Sequence, residues 1–328
     1  MVHTMRFTVL IFALLIYSAN SRAAEATRVR VGVPTLSMVV IAFTAAKEKG
    51  YYREEGLDVD FVWMSAPVAV QALIGGNVEF STVSGSAIPA MLAGAPLQII
   101  FSSYQRPMFW LFSKPEITHV RELKGRRVGV SGIGSGPATL LVKTLKKHGL
   151  EAGRDVPILA LGRMPDIAAG LFSGTVDAAM LAPPFNFTAN ESGFRELVSF
   201  LKEDFVELQG SIVVREELLK INPTLVDKFS RATLKGLMYA REHRLGTVPI
   251  LVKYLKISKT QAEKYYDSVR EVMTRDGTVS EEHLQKFYQL SLDRFKSKDP
   301  SPINQMFDYS LTKKLNSQLQ ASGWRPNP

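Results

Sequence analysis

The segment Ser131-Gly132-Ile133-Gly134-Ser135-Gly136 follows a short apolar run, Arg126–Val130, and precedes Pro137. Its glycines let backbone N–H groups approach a ligand, its hydroxyls add hydrogen-bonding groups, and Pro137 suits the first turn of a helix. Free N–H groups and the positive end of a helix dipole at such a place suit a carboxylate, sulfonate or phosphate. A tight strand-to-helix turn with an ordinary cap is the other reading of the same residues. The segment has no Gly-Lys-Ser/Thr and no full G-x-G-x-x-G, so nucleotide binding is not expected. Comparable small and hydroxyl residues follow other strand-like runs: Ser37 and Met38, Ser65, Ser84-Gly85-Ser86, and Pro183. Their recurrence in the other half of the chain favours binding. Arg163, after Pro157–Leu161, is a candidate cation for an anionic ligand; an exposed surface arginine is its alternative.

Catalytic constellations are missing. The five histidines are scattered and form no H-E-x-x-H, and Gly85-Ser86 lacks the flanks of a nucleophile elbow. The absence of cysteine removes disulfides, iron–sulfur clusters, thiol catalysis and Cys-based zinc sites together. Asp166 reads as a helix cap, and Glu79 and Asp177 as strand-entry residues. No catalytic residue, metal site or cofactor is expected.

The elements that must position these loops alternate β-rich and helical runs, the pattern of a parallel sheet with crossover helices. Arg28–Val33, Asp58–Trp63, Glu79–Val83 and Leu97–Ser103 read as strands, with helices over Val39–Lys49, Val68–Ile74 and Ser86–Leu92 between them. The order returns as Arg126–Val130, Ala138–His148, Pro157–Leu161, Ile167–Phe172 and Asp177–Leu181. Val-Gly-Val at 31–33 recurs at 128–130, and Gly56-x-Asp58-Val59 recurs at Gly153-x-Asp155-Val156, both offset by 97 residues. LIGGNVE at 73–79 matches LFSGTVD at 171–177 with an offset of 98. Three matches in register predict two lobes of one topology. After a strand at Ser211–Arg215 the chain is helical, over Leu225–Arg241, Gln261–Thr274, His283–Phe295 and Tyr309–Gln320. The aromatic positions Tyr265, Tyr266, Phe287 and Tyr288 read as core. This tail is expected beside the first lobe.

With 328 residues, 46% hydrophobic and 22% charged, the chain is long enough for two cored lobes and is not disordered, collagenous or coiled-coil. Its net charge of +9 carries no Lys/Arg block, so no nucleic-acid partner is expected. Residues 1–26 read as a cleaved secretory leader: Arg6, the apolar run Phe7–Tyr17, then Ala24-Glu25-Ala26. The run is too short to span a bilayer. An exported protein, in a periplasm, is expected.

Four segments, KEKGYYREEGLDVDF at 47–61, ALIGGNVEFSTVSGSA at 72–87, LKGRRVGVSGIGSG at 123–136 and GLFSGTVDAAMLAPP at 170–184, resemble the periplasmic solute-binding proteins of ABC importers. The group is the nitrate/sulfonate/taurine type together with the thiamine-pyrimidine-precursor proteins. The resemblance implies an α/β, two-lobed periplasmic-binding-protein type II fold with a helical C-terminal extension. It implies crossovers near Phe109–Ser113 and Gln209–Val214, hence lobes of residues 27–113 with 210–328, and 114–209. Ligand contacts would fall on Ser37, Met38, Ser65, Ser84, Gly85, Ser86, Ser131, Gly134, Ser135, Gly136 and Pro183. The implied role is capture of a small organic solute, expected to be anionic, by a monomer that hands it to an ABC permease. An enzyme on the same scaffold, acting on a heterocyclic or carboxylate substrate, and a secreted ligand sensor are the alternatives. The family's iron-dependent pyrimidine synthases carry a cysteine-rich motif, and a chain without cysteine does not support that activity.

Overall fold

A computed structural model describes residues 26–34, 38–133, 135–203 and 205–327. The leader expected over residues 1–26 lies outside them except for Ala26. The first half runs β1 (Thr27–Val33), α1 (Ile41–Glu48), β2 (Leu57–Trp63), α2 (Ala66–Ile74), β3 (Phe80–Ser81), α3 (Ser84–Leu92) and β4 (Leu97–Tyr104). The second runs β5 (Trp110–Ser113), β6 (Val128–Val130), α4 (Gly136–Lys147), β7 (Ile158–Ala160), α5 (Met164–Phe172), β8 (Ala178–Leu181), α6 (Phe185–Glu191) and β9 (Arg195–Ser199). Then come β10 (Gln209–Arg215), α7 (Pro223–Glu242), α8 (Arg244–Leu255), α9 (Lys259–Val269), α10 (Glu281–Phe295) and α11 (Ser310–Ala321).

The strands make two five-stranded sheets, ordered β2-β1-β3-β10-β4 and β7-β6-β8-β5-β9. Each has three parallel strands, then one antiparallel strand donated across the molecule, then an outer strand. The internal repeat is therefore a repeat of sheet topology. Its acidic members do one job in both lobes. Glu79 Oε2 accepts the Arg30 backbone N–H at 2.7 Å, and Asp177 Oδ2 accepts that of Arg127 at 3.0 Å. Each carboxylate also pairs with the same arginine's side chain, at 3.0 Å and 3.5 Å. A strand-entry acid thus ties the third strand of each sheet to the first.

The expected crossover strand near Phe109–Ser113 is present as β5, but the expected lobe boundary after residue 113 needs correction. Trp110–Ser113 pairs with both β8 and β9, so these residues belong to the second sheet and the passage between lobes is at 105–109. The reason is burial: all four residues of β5 are buried, and a strand so apolar is used as sheet rather than as linker. The chain returns over 200–208, and β10 sits in the first sheet between β3 and β4. Elements not anticipated from the sequence are α6, α8 and β9.

The helical tail covers the first sheet. Phe229 of α7 stacks on Phe80 of β3 with centroids 4.0 Å apart and on Tyr52 at 5.3 Å. The Tyr52 hydroxyl meets Thr233 Oγ1 at 2.9 Å. The Thr312 hydroxyl of α11 donates to the Ile100 carbonyl at 2.6 Å, and Tyr309 Oη meets Ser102 Oγ at 2.9 Å. Tyr265, Tyr266 and Phe287 are buried, and Tyr288 packs half-buried against the core. The tail also reaches the second lobe. Lys264 of α9 pairs with Glu191 of α6 at 3.1 Å, and the Tyr265 ring meets Phe187 edge-on at 5.5 Å.

Gly236 is where α7 and α1 touch. A Cβ there would overlap the Ala42 carbonyl oxygen and stand 2.7 Å from the Ala46 backbone nitrogen. In an exposed helix Gly→Ala stabilises by up to about 1 kcal/mol. Here backbone meets backbone, and the sign reverses. Gly236→Ala is expected to destabilise by about 1–3 kcal/mol or more, the range for overpacked cores, read by urea denaturation. Unchanged or raised stability would show that the two helices separate without cost.

Candidate functional site

Between the two sheets lies a cavity of about 470 Å³, within the few hundred to about 1,000 Å³ typical of small-molecule sites. Its walls come from the carboxyl ends of parallel strands in both lobes. Pro34 follows β1, Ala66 opens α2, and Thr82–Ser86 lead from β3 into α3. From the other lobe come Ser135–Pro137 at the start of α4, Met164 at the start of α5, and Ala182-Pro183 after β8. The two passages between lobes form the back wall, through Met108, Phe109 and Glu207–Gly210. These passages run side by side: Phe200 N–H donates to the Phe109 carbonyl at 3.1 Å, and Arg106 Nη1 donates to the Glu203 carbonyl at 2.6 Å. Tyr265 of α9 and Arg294 of α10 complete the wall from the tail.

Of the residues singled out from sequence, Ser84, Gly85, Ser86, Ser135, Gly136 and Pro183 line this cavity together. Ser84 Oγ donates to the Leu208 carbonyl at 2.6 Å, tying α3 to the returning passage. Ser135 caps α4, its Oγ accepting the Ala138 N–H at 3.3 Å. Ser65 and Ser131 are off the described wall, with Ala66 lining it in place of Ser65. The Arg163 side chain is 82% exposed and pairs with Asp166 at 3.0 Å, while its neighbour Met164 lines the cavity. Asp166 therefore lies inside the first turn of α5, with Arg163 at the cap position. Ser37, Gly134 and the side chain of Met38 lie outside the described residues.

Sequence reasoning missed Thr82, Glu207, Gln209 and Arg294, and assigned Tyr265 to the core alone. Glu207 and Arg294 are the charged side chains on the described wall. The Glu207 carboxylate stands against the first turn of α4: a Cβ placed on Gly136 would be 3.1 Å from its Oε1. The helix end read as a seat for an anion thus faces the chain's own acid. Loss of hydration on burial pushes the Glu207 carboxyl up to about 7, against the opposing pull of Arg294 and an N–H from Gln209. Burial likewise pulls the Arg294 guanidinium below its usual value, with Glu207 opposing. No local pattern marks Glu207, a single acid just before a strand.

Among the described residues no three of His, Cys, Asp and Glu come together to hold a metal ion. A family model described as NMT1/THI5 like matches residues 37–244. The chain belongs to the NMT1/THI5-like family. This NMT1/THI5-like chain is 24% identical over 250 residues to YtlA of Bacillus subtilis, covering 74% of this chain and 75% of that one. It is 28% identical over 227 residues to the riboflavin-binding protein RibY of Chloroflexus aurantiacus, covering 62% of each. Its fold is that of the periplasmic sulfonate-binding protein SsuA from Methylobacillus flagellatus KT, with a TM-score of 0.72 at 17% identity over 92% of this chain and 98% of that one. The desulfurization enzyme DSZB shares it too, with a TM-score of 0.69 at 18% identity over 89% and 99%. The two-lobed α/β architecture of periplasmic binding proteins is the fold of this chain.

Glu207 makes stability pH-dependent in a definite direction. Its carboxyl rises from 4.5 to about 7 on folding, so between those values the folded state holds a proton that the unfolded state releases. Stability is therefore lost as pH rises through this window, by on the order of 3 kcal/mol at 1.36 kcal/mol per unit. Glu207→Gln removes this component. Chemical denaturation from pH 4.5 to 7.5 should show the difference between variant and wild type moving toward the variant by that amount. Parallel profiles would mean that Glu207 is an ordinary solvated carboxylate.

Proposed function

We propose that this chain is the substrate-binding component of an ABC importer, and that it captures a small organic solute between its lobes by hinge closure. The observation that supports it is the placement of the cavity, at the strand ends of two like sheets joined by two adjacent passages. Such a joint lets the lobes part and close about a ligand. The proposed route has residues 1–26 cleaved on export, a monomer working in the periplasm, and a permease in the inner membrane receiving the solute without any cofactor. No described helix is long and apolar enough to cross a membrane. The apolar wall of Met108, Phe109, Met164 and Tyr265 favours an organic body over a bare inorganic ion. The expected anionic head has to be reconciled with Glu207, and Ser135, Gly136 and Ser86 are the groups left to meet it.

A second reading, an enzyme on the same scaffold, draws on the Glu207–Arg294 pair, a titratable couple in the cleft, and on the likeness to DSZB. One set of measurements separates the readings. Native mass spectrometry should find one organic solute per chain, and calorimetry with ethanesulfonate and riboflavin should register whichever class the cleft accepts. Small-angle scattering should show a smaller radius of gyration on saturation, and the solute should be recovered chemically unchanged. A solute recovered with altered mass would carry the enzyme reading instead. The absence of a co-purified solute together with no binding of any small-molecule probe would remove the importer reading.

A further inference from the structure

The polar wall of the cavity narrows the class of solute, an inference that rests on the solute-binding reading. The wall carries acceptor oxygens that the chain leaves wholly or partly unmet. Gln209 gives its amide N–H to Glu207, and its own Oε1 is buried without a hydrogen-bond partner. Beside it stands the Glu207 carboxylate, at the start of α4. Thr82, 4% exposed, adds a hydroxyl without a partner, which can accept from a ligand or donate to one. The Ser84 hydroxyl proton is already given to Leu208. Leaving a buried acceptor unmet costs folding free energy, so such atoms in a ligand cavity mark what the ligand must bring.

The charges point the same way. Arg294 is the cation of the described wall, and its field is set against Glu207. The other charged groups nearby are Lys143 of α4, which shares a groove with Glu207 and Arg294, and Asp293 of α10, which acts on Lys143. A permanent anion seated at the α4 terminus would lie next to a carboxylate in partly desolvated space, where like charges repel far more strongly than in water. Met108, Phe109, Met164, Pro183 and Tyr265 supply flat or pliable apolar surface for a ring.

We propose that Glu207 and Gln209 form a paired acceptor subsite that selects a ring-bearing solute with an edge of N–H or O–H donors and rejects a permanent anion of the same shape. The subsite acts as a specificity filter at the back of the cleft, on the passage that joins the lobes. It reads the head of the solute while the apolar wall holds the body.

Benzamidinium, benzamide and benzoate keep one ring and change only the head, from donors alone to acceptors alone. Each is titrated into the purified protein by ligand-observed NMR at pH 5.5 and pH 8.5. At pH 8.5 benzamidinium and benzamide should bind at least about tenfold more tightly than benzoate. Their affinity should rise from the lower pH to the higher, as the Glu207 acid becomes a carboxylate. Glu207→Gln should abolish that rise, and Gln209→Leu should weaken both donor probes while leaving benzoate unchanged, with melting curves confirming that each variant folds. Benzoate as the tightest probe, with affinity falling as pH rises, would overturn the subsite and leave the solute-binding reading standing. Ethanesulfonate binding with none of the three ring probes would do the same. No binding by any of the four or by riboflavin, with no co-purified solute, would remove both.

Discussion

Each lobe lends a strand to the other's passage, and the geometry of those two strands governs the molecule. A chain arriving from the opposite lobe enters a sheet from its cleft side, so β5 and β10 run antiparallel to the strands they join. β10 is wedged between β3 and β4, and β5 between β8 and β9. With these strands hydrogen-bonded on both sides, both passages are anchored at each end. The carboxyl ends of the parallel strands in both sheets consequently face one another. The cavity is the space this arrangement leaves, and the loops after β1, β3, β6 and β8 line it because they have no other place to go.

The electrostatics of the cleft follow from where the second passage runs. Residues 205–208 must cross close to the start of α4 to reach β10, and this brings Glu207 to the helix end. The positive end of a helix dipole stabilises a carboxylate, while enclosure removes water and raises its affinity for a proton. Enclosure prevails. Arg294 arrives from α10, nearly ninety positions later in the chain, and opposes the effect without reversing it. Burial thus holds the Glu207 carboxyl toward its neutral form opposite Arg294, beside a wall that is largely apolar.

The tail adds more than cover. Helices α7 and α11 lie on the first sheet through Phe229, Thr233 and Thr312, as a tail packing beside the first lobe requires. Helix α9 reaches further, pairing with α6 through Lys264–Glu191 and Tyr265–Phe187. Exposed surface ion pairs contribute little, about 0–1 kcal/mol. The buried aromatic contact carries more of the clasp, and Tyr265 belongs at once to the core and to the cavity wall.

Much of the architecture was legible in the chain alone, because it rests on local periodicity and on self-similarity. Val29 and Val31 alternate with the exposed Arg28 and Arg30 and are buried as a strand must bury them. The 97-residue offset between Arg30 and Arg127, and the acids Glu79 and Asp177, mark the same tie in two sheets. Glycine, serine and proline at the strand ends pointed to Ser84–Ser86, Ser135, Gly136 and Pro183 because tight turns into helices need those residue types. Pairing decided the rest. Trp110–Ser113 reads as a link or as a strand until its partners β8 and β9 are known, since an apolar tetrapeptide suits either. Glu207, Gln209, Tyr265 and Arg294 share a wall only because a return passage and two tail helices converge there, and an isolated acid or a helical arginine carries no trace of that meeting in its neighbours along the chain. Short-range pattern determined most of the strands and helices and the serine, glycine and proline turns of the cavity's lining; long-range convergence alone brought Glu207, Gln209 and Arg294 to that wall.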